Sequence, residues 1–244
     1  MQSLGIGSRR TQTFNAQAFL DSAGMGPNNT VISRWVPAAE VAVITGSILL
    51  FIWVVQPLGG PGADLAFRLA IVVLMLLSNL SHGDSRRRMG LRLDNLMASA
   101  RLGLPATAIA AGVVVMLGLI LAPSRPDYQR LLLNFGYYLL WGFAQQYALQ
   151  AVVFLRLVDA GLTRRAPAVA AALFALVHAP NPGLMAMTFA GGWMWCSVFR
   201  RQPNLVALTA SHACLAVIAE AMLPLSVTGG YRIGPRYLRW IVGR

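Results

Sequence analysis

Residues 139–157 read LLWGFAQQYALQAVVFLRL, an apolar run close to the ~20 residues that a helix needs to cross a bilayer. Gln145, Gln146 and Gln150 sit at its centre, where a carboxamide is costly unless something polar meets it. On a helix turning about 100° per residue, Gln146 and Gln150 share one stripe, with Gln145 at its edge beside Tyr138 and Asn134. One side of this helix is therefore wet. Partners for it are expected downstream, where FALVHAPNPG (174–183) carries His178 and TASHACLAV (209–217) carries His212. The expectation is a polar pocket inside a membrane bundle.

Composition supports the bundle. Of 244 residues, 57% are hydrophobic and 11% charged, and the mean hydropathy is +0.60. That is far more apolar than a soluble domain, so the chain reads as all-α, a polytopic transmembrane helix bundle of about seven spans (six to eight) in the cell membrane. The net charge of +12 comes from arginine alone, without a lysine. These arginines are spread over several loops and a tail, so no nucleic acid is expected as a partner. Membrane lipid head groups and the positive-inside rule account for them. Cys196 and Cys214 both lie in apolar runs, which suggests no disulfide framework. The N-terminal residues lack the apolar core of a signal peptide.

Taken in order, residues 1–36 form a polar lead, 37–225 the membrane bundle and 226–244 a basic, aromatic tail suited to an interface anchor. Spans are expected at about 37–58, 65–80, 104–121, 131–155, 168–179, 184–199 and 205–225. The intervening HGDSRRRMGLRLDNLMASAR (82–101) holds the strongest cytoplasmic signal, Arg86, Arg87, Arg88, Arg92 and Arg101, and is expected to include a short amphipathic helix lying on the membrane. Charge places the N-terminus in the cytoplasm, although seven spans then put the basic tail outside. The Met and Trp residues of MAMTFAGGWMW (185–195) read as ordinary lining of a span.

Three features together resemble the CAAX prenyl protease and bacteriocin-processing (CPBP) family of intramembrane proteases: QQxxxQ at 145–150, F-x-x-x-H-x-x-N-P at 174–182, and NLVALTASHA at 204–213. The resemblance covers residues 130–224 and implies an all-helical intramembrane endopeptidase of the glutamic type, needing no cofactor. In the family the first motif is E-E-x-x-x-R, and its leading glutamate activates the attacking water. Gln145 stands at that glutamate, Gln146 at the second and Gln150 at the arginine. Phe174 and His178 match the second motif, with Asn181 of the N-P step grouped in the same pocket. His212 matches the third, whose fourth-on Asn or Asp is here Ala216. The resemblance implies His178, His212 and Gln145 as the catalytic set, and Gln146, Gln150, Phe174 and Asn181 as pocket residues.

The departures bear directly on chemistry, because a carboxylate accepts a proton from water and a primary amide does not. Two functions follow. One is an endopeptidase acting on a hydrophobic or lipidated peptide, with the two histidines around a water and Gln145 or Gln150 donating to the carbonyl. The other is a catalytically silent scaffold that binds a peptide or membrane protein in the same cavity. The glutamines also read simply as glue between spans, worth about 1 kcal/mol each. No metal is expected, since the sequence has no H-E-x-x-H and Glu220 lies two turns beyond His212.

Overall fold

A computed structural model describes residues 34–121 and 128–243, without the side chains of 128–133. Most of the expected polar lead and most of the turn at 123–130 lie outside the described residues. Every regular element among the described residues is helical. They are α1 (Trp35–Leu58), α2 (Pro61–Ser81), α3 (Leu96–Leu121), α4 (128–159), α5 (Ala166–Leu176), α6 (Pro182–Phe199), α7 (Leu205–Met222), the single turn α8 (Leu225–Thr228) and α9 (Gly234–Val242).

Where about seven spans are expected, four helices among the described residues have the length and apolar character to cross a membrane: α1, α2, α3 and α7. α4 carries the three glutamines and Arg156, α5 has 11 residues, and the apolar content of the unbroken α6 is diluted by glycine and tryptophan. Leu69, Leu77, Ile109 and Ile120 on α2 and α3 are more than half exposed, a surface suited to hydrocarbon.

Local chemistry sets the boundaries. Gly59 and Gly60 end α1, and Pro61 opens α2 where its missing N–H costs nothing. Asn181 and Asn204 cap α6 and α7, each side-chain oxygen accepting the backbone N–H three residues on. Adjacent helices pair in an up-and-down order. Ser78 near the end of α2 donates to Glu40 near the start of α1 (2.6 Å), and Asn134 on α4 faces Glu220 on α7.

The C-terminal half of α4 is the axis of the bundle. Ala151, Val152, Phe154 and Leu155 are fully buried. Ala151, Phe154 and Leu155 pack in one core with Val41 of α1, Ala170 and Phe174 of α5, Trp195 and Phe199 of α6, and Leu205 and Leu208 of α7, while Val152 packs with Ile44 of α1 and Met75 of α2. Tyr147–Phe154 of α4 is a π-helical stretch, which locally widens the helix.

The segment 82–95 corrects the sequence reading. It contains no amphipathic helix on the membrane; it is a series of turns drawn into the bundle, and α3 begins at Leu96. Gly90 adopts φ +75°, and its carbonyl accepts the Leu205 N–H at 2.9 Å. Asn204 Nδ2 donates to Arg92 O and Asn95 Oδ1, both at 2.8 Å. Arg92 and Asp94 form an exposed pair that holds the Asp94 carboxyl below the usual carboxylate range.

Arg88, read as a surface cytoplasmic charge, is buried. It pairs with Asp84 and with Asp159 of α4. Arg156, wholly buried, pairs with Asp84, with Asp159 (2.7 Å) and with Asn79 Oδ1 (3.1 Å), while Glu40 stands 3.7 Å from its Nε. His82 fits between Glu40 (3.2 Å) and Asp159 (3.6 Å). Buried charges persist only when paired, and these partners come from α1, α2, the 82–95 turns and α4. The cluster ties all four to one end of the bundle.

Candidate functional site

The glutamines and histidines do not contribute equally. Gln146 and Gln150 are fully buried on α4. Gln146 Nε2 lies 3.1 Å from His212 Nδ1, and Gln150 Nε2 donates to Gln146 Oε1 at 3.3 Å. Gln150, whose amide neighbours the Cys196 thiol, has no hydrogen-bond partner for its Oε1 among the described residues. Gln145 is half-buried and its side chain makes no hydrogen bond among the described residues. Their i,i+4 spacing puts Gln150 over Gln146, at the start of the π-helical stretch.

These contacts determine where protons sit. Gln146 Oε1 is the acceptor for Gln150, so its nitrogen faces His212; an amide NH2 only donates, so His212 Nδ1 accepts and its proton is on Nε2. His178 Nδ1 lies 2.7 Å from Phe174 O, which only accepts. In the neutral ring, His178 therefore carries its proton on Nδ1 and leaves Nε2 as a bare acceptor. One imidazole presents a donor and the other an acceptor.

Aromatic packing fixes both rings. Phe174 meets His178 edge-on at 5.0 Å and His212 edge-on at 6.4 Å between ring centroids, so both imidazoles pack around one phenyl ring. Trp195 stacks on His212 at 4.6 Å with 9° between planes. Its indole N–H donates to Ser211 Oγ (2.9 Å), which in turn meets Thr107 Oγ1 at 2.8 Å. Trp195 is thus part of the cluster, not the ordinary span lining expected from its sequence context. Nothing in the run MAMTFAGGWMW singles it out. Gly142 lies alongside the His212 ring, where a Cβ would make ordinary contact at 3.6 Å.

Asn181 is fully buried and spent on the backbone. It caps α6 through Leu184 N–H (3.1 Å) and donates to Thr228 O (2.8 Å) and Arg232 O (2.9 Å). Its hydrogen bonds hold the chain after α8 against the α5–α6 turn. Ala216, four residues after His212, supplies no polar atom.

Among the described residues no carboxylate joins the cluster. Glu220 faces Asn134 at 3.0 and 3.2 Å, two turns further along α7. No group of three His, Cys, Asp or Glu side chains suited to a metal occurs among the described residues. Beside the cluster, an apolar groove of about 440 Å³ runs between α4 and α7, lined by Gly136, Leu139, Leu140, Phe143, Val206, Thr209 and Ala210. Its lining includes Thr209, one turn before His212 on α7. The chemistry available here is hydrogen-bond recognition next to an apolar slot. No family model, no curated protein and no solved structure matches the chain.

Proposed function

We propose that this chain is a multi-pass membrane protein of CAAX-protease-like build, whose Gln146–His212–His178 cluster holds a peptide group of a hydrophobic or lipidated polypeptide without hydrolysing it. The observation that carries this reading is the proton arrangement of the two rings. A peptide group offers one acceptor and one donor, and His212 Nε2–H and His178 Nε2 offer the complements. The resemblance at residues 145–150, 174–182 and 204–213 supports the peptide as ligand, and the slot between α4 and α7 suits an apolar side chain beside it.

Gln145 and Gln146 replace the two carboxylates that the family's mechanism requires, and no other acid joins the described cluster. The bound peptide then stays whole, and the protein acts as a membrane adaptor. In this reading the seven-helix path keeps the N-terminus on the cytoplasmic side, because the 82–95, 160–165 and 200–204 segments hold eight arginines and the 59–64 and 122–130 segments on the other side hold two.

The test uses purified protein in nanodiscs and a library of hydrophobic peptides carrying a photo-crosslinker. Peptide capture without cleavage is expected, with capture lost in His178→Ala and in His212→Ala. Equal capture by parent and both variants removes the binding site. Cleavage by the parent and none by His178→Ala replaces the adaptor reading with that of a histidine-assisted peptidase.

A further inference from the structure

The C-terminal helix α9 carries a second feature, independent of the Gln–His cluster. Its entry is fastened firmly. Gly234 N–H donates to Ala179 O (2.8 Å), Asn181 holds Arg232 O (2.9 Å), and Tyr237 is buried. Gly234 has φ +55°, and a Cβ there would stand 2.7 Å from Ile52 Cγ2, so the helix starts hard against α1. This seats α9 at the end of the bundle where α1 finishes, opposite the Arg156 cluster.

Beyond Tyr237 the helix has two free sides. Leu238 (44% exposed), Ile241 (48%) and Val242 (87%) form one, while Arg236 and Arg239, both exposed, lie toward the other. The described acids at this end are engaged elsewhere, Asp64 with Arg68 (2.7 Å) and Glu220 with Asn134. No ion pair among the described residues involves Arg236 or Arg239. An apolar side chain row beside two guanidiniums that meet no acid among the described residues has one complement at a helix-bundle end: acyl chains below a plane of phosphate.

We propose that α9 is a binding surface for anionic phospholipid, with Leu238, Ile241 and Val242 in the acyl region and Arg236 and Arg239 on the phosphate oxygens. The guanidinium fork suits a phosphodiester, and charge attraction adds to apolar burial. Exposed Arg86, Arg87, Arg164, Arg165 and Arg201 stand at the opposite end of the bundle. The lipid held by α9 therefore belongs to the other leaflet from the one those arginines face.

The full chain carrying Cys214→Ser and Val242→Cys, labelled with an environment-sensitive fluorophore, is reconstituted in nanodiscs of phosphatidylcholine with increasing phosphatidylglycerol. The label's emission is expected to move to the blue as phosphatidylglycerol rises. Arg236→Gln with Arg239→Gln should weaken the response roughly 30-fold, at about 1 kcal/mol for each arginine near an anionic surface. Arg236→Lys with Arg239→Lys should keep it. Equal emission in both lipids, or a full response from the glutamine pair, overturns the proposal. So does loss of the response in the lysine pair with its helical circular dichroism intact. If inorganic phosphate displaces the response, the surface takes a soluble anion and the lipid assignment falls.

Discussion

Arg156→Met is expected to be among the most damaging single changes in this chain. Arg156 is fully exposed to the cost of burial: its side chain has no solvent contact, and neither has its partner Asp84. The substitution keeps the stem volume and removes the guanidinium, stranding Asp84 with Arg88 as its remaining charge partner and leaving Asn79 Oδ1 unmet. Removing one member of a buried pair costs about 3–5 kcal/mol. At roughly 2–4 °C per kcal/mol for a chain of this size, Tm should fall by about 6–20 °C. Asp84→Leu should cost a similar amount. The double change Arg156→Met with Asp84→Leu removes both charges and should recover most of the loss, since apolar replacement of a whole pair is close to neutral. Thermal unfolding of the detergent-purified protein, followed by tryptophan fluorescence, measures all three. A fall of less than 2 °C for Arg156→Met, or a double variant no better than the singles, refutes the view that paired burial governs this end of the bundle.

Gln146→Leu should leave His212 Nδ1 without its donor and Gln150 without its acceptor, costing about 1–3 kcal/mol and lowering peptide crosslinking; unchanged Tm and capture count against the proton arrangement. Gly90→Ala places a Cβ 2.8 Å from the Phe199 ring in a left-handed backbone and should cost about 1–3 kcal/mol, read as faster proteolytic cutting within 82–95. Asn204→Ala loses the α7 cap and two bonds to the 82–95 turns, and thermal unfolding should show about 1–2 kcal/mol lost. Replacing Gln145 and Gln146 with Glu and Gln150 with Arg should produce peptide cleavage, assayed by mass spectrometry, if the remaining pocket matches the family's chemistry.

Much of the helical layout was legible because it follows from local composition. The Gly59-Gly60-Pro61 break, the Asn181-Pro182 step and the Pro203-Asn204 step announce helix ends by chemistry confined to a few residues. The demand of Gln146 for a polar partner was also legible, since an amide in an apolar run implies one. The ionic cluster was not. Asn79 and Asp84 are 77 and 72 residues from Arg156, and arginine in a turn reads as solvated charge until the turn is seen drawn inward. The shared stripe of Gln146 and Gln150, with Gln145 at its edge, was legible from the helical period, and it was the family resemblance that put Gln145 forward. Trp195 needed the packing of α6 on α7 to become the ring that holds His212.

The π-helical stretch Tyr147–Phe154 works as a spacer between two fixed points, the imidazole-bound Gln146 on one side and the doubly anchored Arg156 on the other. A straight α-helix covers that distance with one residue fewer. Deleting a single residue from this stretch would therefore let a regular α-helix join the same two anchors, with Gln146 still at His212 and Arg156 still in its socket. The surplus residue is thus slack held between two anchors: the helix can lose it with both in register, whereas an insertion or a second deletion would draw Gln146 off the imidazole or Arg156 out of its carboxylates.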